Sequence, residues 1–239
     1  MARGHPDFGA TAPRELTTPQ LDSGELAARL GSPNVYDRLG TVIAIYKGDE
    51  PIHQVFEANV GSGRRDNFLF SNPFGAYVWR LTALANGHQP GFRLLVPLIG
   101  DSPAGVEVIF RTIDNTDTTI ELTFIADTGT ERIQPGFRWN STVAQWQFLL
   151  PTGLWQTTST FITPLSANIW HSMKLTADPI AATYGRVSKD GESAGIIGEA
   201  TQNPPGFLRT MEVQFMAESD AAGTLSTDVA AVIVTVNEL

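Results

Sequence analysis

The 239-residue sequence contains no cysteine. Disulfide bonds, thiolate metal sites and cysteine nucleophiles are therefore excluded together. Long apolar runs are missing as well, since no stretch approaches the ~20 residues that a membrane-spanning helix requires. The first residues also lack the apolar segment of a secretory signal. We therefore expect a protein that is made in the cytoplasm and has no membrane partner.

Basic residues are few and scattered. The chain has 16 Lys and Arg against 25 Asp and Glu, which gives a formal net charge of -9, and only Arg64 and Arg65 are adjacent. A protein that binds nucleic acid through its phosphates needs a basic patch or stripe. No nucleic-acid partner is therefore expected.

Sequence patterns of common active sites and metal sites are absent. His5, His53, His88 and His171 are far apart, and none has a second ligand at metal-binding spacing. The chain has no Gly-x-Ser-x-Gly turn, no phosphate-binding Gly-Lys-Ser/Thr loop and no calcium-binding loop. The sequence therefore predicts no metal and no cofactor.

Carboxylates show no catalytic pattern either. A glycosidase places two carboxylates about 5–9 Å apart, but Glu107, Glu121 and Glu212 each stand alone on their predicted strands. A pair assembled from two different strands stays open. On this basis the sequence predicts no catalytic residue and a protein that is not an enzyme.

Apolar and polar residues alternate along most of the chain beyond its first 40 residues. In the segment around Ile120, Leu122 and Phe124, these three side chains fall on one face of a strand. Residues 227–236 are apolar on both faces, which is typical of a central or covered strand. Residues 61–67 are predicted to form a loop. Further strands are predicted at residues 41–47, 54–60, 68–70, 76–82, 91–97, 106–113, 130–139, 143–149, 154–158, 170–178, 183–187 and 208–217.

A dozen or more short strands without alternating helices favour an all-β fold, a two-sheet antiparallel jelly-roll sandwich. We predict that residues 41–239 form this β-sandwich domain. Residues 1–40 are predicted to form an extended N-terminal arm and one short N-terminal helix. Asp22 can cap this helix, Glu25 completes a capping box, and Gly31 ends it.

The N-terminal segment carries the predicted partner-binding residues. The arm has no periodic pattern and many Gly and Pro residues, so it is either mobile or ordered by a partner. A two-turn helix is not stable alone in water, so it must dock on its own sandwich or on a neighbouring subunit. The candidate contacts are Arg3, His5 and Phe8 in the arm, and Leu26 and Leu30 in the helix.

Two segments carry a resemblance to known proteins. The run Trp-His-Ser-Met-Lys-Leu-Thr-Ala-Asp at residues 170–178, followed by Tyr-Gly-Arg-Val at 184–187 and Asp-Gly at 190–191, resembles a strand pair of concanavalin A-like (laminin G-like) lectin and glucanase sandwiches. Residues 232–238 are similar to their closing strand. The resemblance implies a sandwich that binds glycans and, in some members, cleaves them. The chain lacks the acidic motif of the cleaving members, so no catalytic residue is carried over.

The first residues carry a second resemblance. The start Met-Ala-Arg-Gly-His-Pro-Asp-Phe, the Leu-Ala-Ala-Arg-Leu-Gly helix and residues 37–43 resemble uncharacterised proteins of phage and prophage character. This implies a non-enzymatic structural protein of a phage virion, a capsid decoration protein or a tail or baseplate accessory. It would associate with other virion subunits and with itself through its arm, and would be located in the virion.

Two alternatives stay open. The protein is a carbohydrate-binding module for host-surface glycans, or a glycoside hydrolase or lyase. Trp139, Trp146, Trp155 and Trp170 either stack on sugar rings or fill the core, as large aromatic side chains in a sandwich commonly do.

Overall fold

Seventeen β-strands make up the part of the chain that the structure, a computed structural model, describes. The described residues are 40–48, 55–57, 63–72, 75–97, 102–127, 132–158, 162–195, 201–203, 210–220 and 224–237, and no helix occurs in these ranges. In chain order the strands are β1 (Thr41–Lys47), β2 (Val55–Glu57), β3 (Gly63–Asn72), β4 (Gly75–Ala83), β5 (Gly91–Pro97), β6 (Ala104–Thr112), β7 (Thr118–Asp127), β8 (Arg132–Gln134), β9 (Gly136–Asn140), β10 (Gln145–Leu149), β11 (Trp155–Thr157), β12 (His171–Asp178), β13 (Thr183–Lys189), β14 (Glu192–Gly195), β15 (Thr201–Asn203), β16 (Thr210–Ser219) and β17 (Leu225–Val236).

Eight strands form one sheet, sheet A, in the order β14-β13-β12-β6-β17-β4-β3, with β1 also paired to β17. One side of β17 pairs with β6 over residues 227–236. Its other side is shared, with residues 225–229 paired to β4 and residues 231–236 paired to β1. A register shift between Val229 and Ala231 separates these two halves.

Nine strands form the second sheet, sheet B, in the order β11-β10-β9-β7-β16-β5-β2. β8 pairs with the end of β7, and β15 pairs with β8. β16 pairs with β7 along its whole length and with β5 over residues 210–216. All of these pairs are antiparallel, so the described chain contains two antiparallel sheets of similar size.

The hydrophobic core lies between the sheets and is built from alternate residues of the longer strands, among them β5, β7, β12 and β16. Ile120, Leu122 and Phe124 of β7 are fully buried, which confirms the face predicted from the sequence. The rings of Phe92 and Phe215 stack with centroids 5.6 Å apart. Burial of one large apolar side chain contributes about 1.5–3 kcal/mol, so the hydrophobic effect is the main force that joins the sheets.

Strand β17 is buried on both faces. Val232 and Val234 belong to the core, while Ile233 and Thr235 point to the other side of sheet A and are also buried. In the order of sheet A, β17 is central, with β6 on one side and β4 and β1 on the other. The prediction of a central or covered strand is confirmed.

The prediction of a loop at residues 61–67 is wrong from Gly63 onward, and residues 61 and 62 lie outside the described ranges. β3 begins at Gly63 and pairs with β4, where Asp66 lies opposite Arg80. β3 stands at one end of the strand order of sheet A. Charged residues are common on such outer strands because they discourage pairing with other chains. Because the first half of β3 is charged, it lacks the alternation of apolar residues from which a strand is predicted.

The single strand predicted at residues 130–139 is also wrong. Pro135 divides it into β8 and β9. Proline has no N–H group for a ladder, although its carbonyl oxygen still accepts a hydrogen bond from the Phe124 backbone N–H at 3.2 Å. Two further short strands, β14 and β15, have no counterpart among the predicted strands.

The prediction of an all-β protein with two antiparallel sheets is confirmed. The predicted arm and helix fall outside the described residues, so the boundary at residue 40 stays a prediction. No described segment forms a helix that is long and apolar enough to cross a membrane. The predicted partner-binding residues, which also lie outside the described ranges, are Arg3, His5, Phe8, Leu26 and Leu30.

Candidate functional site

The two sheets have different outer faces. On sheet A, the outward side chains of Glu107, Lys174 and Asp228 are no more than 2% exposed. A face whose polar side chains are shielded from water is not open to a ligand. The outward side of sheet B carries polar side chains, together with Leu95, Ile125 and Met216, and it is partly exposed. It is the candidate site.

The strict alternation of five strands creates this surface. In β7 and β16 every second residue belongs to the core, which leaves the residues between them to point outward. The same holds for β5, β9 and β10. We define the sheet B outer face by the polar and aromatic side chains that these strands and β11 direct away from the core, namely Arg93, Thr119, Glu121, Thr123, Arg138, Asn140, Gln145, Gln147, Trp155, Glu212, Gln214 and Glu218.

Two carboxylates lie close together at the centre of this face. Glu121 of β7 pairs with Met216 of β16, and its neighbour Thr119 pairs with Glu218. Glu121 and Glu218 are therefore diagonal neighbours on one face of the sheet, about 7–8 Å apart between their Cα atoms. They form the pair from two strands that the sequence left open.

The environment of Glu121 favours its protonated form. Burial raises the pKa of the Glu121 carboxyl, and the negative charge of Glu218 acts in the same direction. The Thr123 hydroxyl, which donates a hydrogen bond to Glu121 Oε1 at 3.2 Å, and the charge of Arg138 oppose this shift without cancelling it. Glu121 thus has a proton available nearer to neutral pH than an ordinary glutamic acid.

Arg138 connects the carboxylates with the end of the sheet. It lies opposite Glu121 in the β7–β9 ladder, and its Nε donates to Gln147 Oε1 at 2.9 Å. Its guanidinium stacks on the ring of Trp155, 4.3 Å from the ring centroid. Asn140 Nδ2 donates to the same oxygen of Gln147 at 3.2 Å. The orientation of the Gln147 amide is therefore fixed by two donors.

Trp155 lies against the backbone of β9. A Cβ atom added at Gly136 would be 2.9 Å from Trp155 Cη2 and 3.1 Å from Leu149 Cβ, so only glycine leaves room for the indole here. The close approach, together with the stacked guanidinium of Arg138, holds the ring at the edge of the polar face. Trp155 remains half-exposed.

A second group of polar residues occupies the other half of the face. Arg93 Nη1 donates to Glu212 Oε1 at 3.5 Å, and Gln214 Nε2 donates to the same oxygen. Gln89 Nε2 donates to Glu218 Oε2 at 2.7 Å. These contacts are partly exposed, so water or ligand hydroxyl groups can reach them.

The arrangement offers many hydrogen-bonding groups on a rigid sheet. Carboxylates and amides provide acceptors, amides and guanidinium groups provide donors, and Trp155 provides an apolar ring. Polar groups placed next to one aromatic ring on rigid strands suit a polyhydroxyl ligand better than an apolar one. The raised pKa of Glu121 adds the capacity for proton transfer.

The tryptophans named from the sequence have three different positions. Trp139 and Trp146 are buried in the core with 2% exposure each, so they are not available to a sugar. Trp170 packs against Ile109 on sheet A. Of these four, Trp155 alone lies on the sheet B outer face, where its ring is accessible to a ligand.

His171 is a structural residue. It is buried, its Nδ1 lies 2.6 Å from Asp190 Oδ2, and its Nε2 lies 2.8 Å from the Ser166 carbonyl oxygen. Both ring nitrogens therefore face acceptors, and the side chain connects β12 with the turn at Asp190 and Gly191. That turn has positive φ angles of 51° and 83°, as expected for a tight hairpin.

Sequence reasoning missed Glu218 and did not single out Arg138. Glu218 lies beyond the end of the strand predicted at residues 208–217, and β16 continues to Ser219. A longer period-two pattern, with Met211, Val213, Phe215 and Ala217 buried in turn, is the signal that extends the strand. No group of three or more metal-ligating side chains occurs within the described ranges.

No protein-family model matches the chain, and no curated protein sequence matches it. Solved structures do share its fold. The "Cellulose induced protein, Cip1" matches with a TM-score of 0.53 at 9% identity, over 81% of this chain and 97% of that chain. An endo-β-1,4-glucuronan lyase from the fungus Trichoderma reesei matches with a TM-score of 0.51 at 11% identity, over 82% of this chain and 96% of that chain. The Crh5 transglycosylase in complex with NAG matches with a TM-score of 0.50 at 12% identity, over 87% and 89%.

These likenesses define the class of the fold. The chain shares the β-sandwich fold of these three structures, which is consistent with the concanavalin A-like resemblance seen in the sequence. At 9–12% identity they show the fold and nothing finer.

The sequence led to the prediction that the protein is not an enzyme, and this prediction is wrong. Two of the sandwiches with this fold are a lyase and a transglycosylase by name. The missing acidic motif within one strand does not decide the question, because Glu121 and Glu218 come together from two strands. Fold and carboxylates are both compatible with catalysis.

Proposed function

We propose that this protein binds a glycan on the sheet B outer face. The observation that carries the proposal is the half-exposed Trp155, held by Arg138 beside a row of amides and carboxylates on one rigid sheet. The fold that the chain shares with a glucuronan lyase and with a transglycosylase supports it. The indole would cover an apolar side of a sugar ring, and the polar row would bind its hydroxyl groups.

Replacement of Trp155 by alanine should weaken glycan binding about 10- to 100-fold, because one aromatic anchor commonly contributes 2 kcal/mol or more at a binding site. A glycan array with the full chain identifies the ligand, and isothermal titration of wild type and Trp155→Ala measures the loss. The matched control is Tyr77→Ala, which removes an exposed aromatic side chain from β4 of sheet A and should leave affinity unchanged. Equal affinity of wild type and Trp155→Ala would refute this site.

A second function, glycan cleavage, is favoured by the state of Glu121. Its raised pKa and its position beside Glu218 are the features of an acid and a second carboxylate in a glycan-cleaving site. In this proposal the bond between the anomeric carbon and the leaving-group oxygen breaks as Glu121 donates a proton to that oxygen. A water molecule forms the new bond to the anomeric carbon, and Glu218 accepts the proton that this water loses.

The test of cleavage is product analysis after incubation with a panel of polysaccharides. We expect new reducing ends with wild type and none with Glu121→Gln, which keeps the shape of the side chain but has no acidic proton. The Glu121→Gln protein should still bind the same polysaccharide. Products formed at equal rates by both proteins would exclude Glu121 as the acid.

Three statements about a phage particle stay predictions. They are that the protein is located in a virion, that residues 1–40 tether it, and that it associates with virion subunits. They rest on the resemblance of the first residues to phage proteins. Glycan binding agrees with them, since a protein on a phage particle that recognises a host surface meets glycans first.

A further inference from the structure

The charged groups of sheet B are mostly carboxylates. Three arginines and five carboxylates lie on or at the edge of its outward side, and its described strands contain no lysine. The formal charge of this surface is therefore negative even after every arginine is counted. The arginines are Arg93, Arg132 and Arg138, and the carboxylates are Glu121, Asp127, Glu212, Glu218 and Asp220.

Two of the three arginines already have a carboxylate partner. Arg132 Nη2 donates to Asp127 Oδ2 at 2.9 Å, and Arg93 forms the 3.5 Å ion pair with Glu212. A carboxylate on a ligand would have to displace one of these protein carboxylates before it could bind either guanidinium.

The third arginine, Arg138, also has negative surroundings. The charges of Glu121, Glu218 and Asp220 all act on the guanidinium of Arg138. An anionic ligand that approached Arg138 would come next to the negative charge of Glu218, and next to that of Glu121 whenever this residue is ionised. Like charges placed together in this way weaken binding by large factors.

We propose that the sheet B outer face takes an uncharged glycan and discriminates against glycans that carry carboxylate or sulfate groups. This inference rests on the proposed glycan binding and adds the charge class of the ligand. The remaining polar side chains, chiefly Asn140, Gln147 and Gln214, are neutral amides that suit hydroxyl groups. The net charge of -9 on the whole chain acts in the same direction, since it repels polyanions at longer range.

The experiment compares glycans that differ only at C6. A β-1,4-glucan oligosaccharide and a β-1,4-glucuronan oligosaccharide of equal length have the same backbone, with a hydroxymethyl group in one and a carboxylate in the other. A mannan and a polymannuronate oligosaccharide form a second pair. Each is titrated into the full-length protein at low and high sodium chloride concentration.

We expect at least one neutral member to bind about tenfold or more tightly than its uronate partner at low salt. Its affinity should change less than about twofold with salt, because an uncharged ligand releases no counterions. The uronate should gain affinity as salt screens its repulsion from the carboxylates.

Charge variants test the cause of the discrimination. Combined replacement Glu121→Gln and Glu218→Gln removes the negative charge of Glu218 and prevents Glu121 from ionising, with little change in shape, and should raise uronate affinity about tenfold. The control Asp66→Asn makes the same kind of change on β3 of sheet A, where Asp66 pairs with Arg64, and should leave the neutral-to-uronate ratio unchanged.

The outcomes separate the two proposals. Tighter binding of a uronate than of its neutral partner overturns the inference and leaves glycan binding standing. Absence of binding by every member of both pairs and of the glycan array overturns glycan binding and the inference with it. A neutral preference that the double variant leaves unchanged overturns the electrostatic cause.

Discussion

Asp228→Ala should lower the free energy of unfolding by about 3–5 kcal/mol, because it removes the shared partner of two largely buried cations. Asp228 is fully buried on β17. Its carboxylate accepts from Arg80 Nε at 2.6 Å and Nη2 at 2.9 Å, and from Arg111 Nη2 at 2.7 Å. The two guanidinium groups have side-chain exposures of only 18% and 13%, so water cannot replace the lost carboxylate well.

Urea denaturation of wild type and Asp228→Ala measures this effect. The matched control is Asp66→Ala, which breaks the exposed ion pair with Arg64 and should cost about 0–1 kcal/mol. Asp228→Asn should fall between the two, since it keeps one hydrogen-bond acceptor but loses the charge. Equal losses for Asp228→Ala and Asp66→Ala would show that the buried cluster adds no stability.

Tyr184→Phe should cost about 2–4 kcal/mol of unfolding free energy, because it deprives buried backbone groups of their partner. Tyr184 stands on β13 of sheet A, and its hydroxyl reaches across to sheet B. It accepts from the Gly136 N–H at 2.8 Å and donates to the Leu149 carbonyl oxygen at 2.7 Å. The hydroxyl thus joins the two sheets at one polar point inside the apolar layer.

The contribution of Tyr184 should also depend on pH. Burial raises the pKa of the Tyr184 hydroxyl above its value in the unfolded chain. The neutral form is therefore favoured by folding, so the stabilisation is complete below the unfolded pKa of about 10 and declines as pH rises above it. The difference in stability between wild type and Tyr184→Phe should be constant between about pH 6 and 9, and smaller at pH 11. A difference that grows above pH 10 would contradict the assignment.

The strands were the most predictable part of the molecule. A period of two is set by local geometry, so Ile120, Leu122 and Phe124 identify their core face without knowledge of any neighbour. The same holds for β17, whose apolar residues on both sides require a covered position. Strand ends were less predictable, as β3 shows, because charged residues on an outer strand do not alternate in hydrophobicity.

The candidate site was much less predictable. Glu121 and Glu218 meet because β7 and β16 pair in one particular register, although the two strands are far apart in the sequence. Nothing in either strand alone encodes that register. The burial of Lys174 and Glu107, which lie opposite each other on sheet A, could not be predicted from the sequence for a similar reason. Alternation separates two faces of a strand and does not say which of them meets water.

The position of the two late strands has a consequence for how the chain becomes folded. Without β16 and β17, sheet A falls into three pieces, namely β1 alone, β3–β4 and β6–β12–β13–β14. Sheet B then separates into β2–β5 and the strands around β7. During synthesis, β1 to β15 are therefore made before the two strands that join the parts of each sheet. Such dependence on distant segments makes folding slow and exposes unpaired strand edges in the meantime. Both sheets can therefore close only after β16 and β17 have been made.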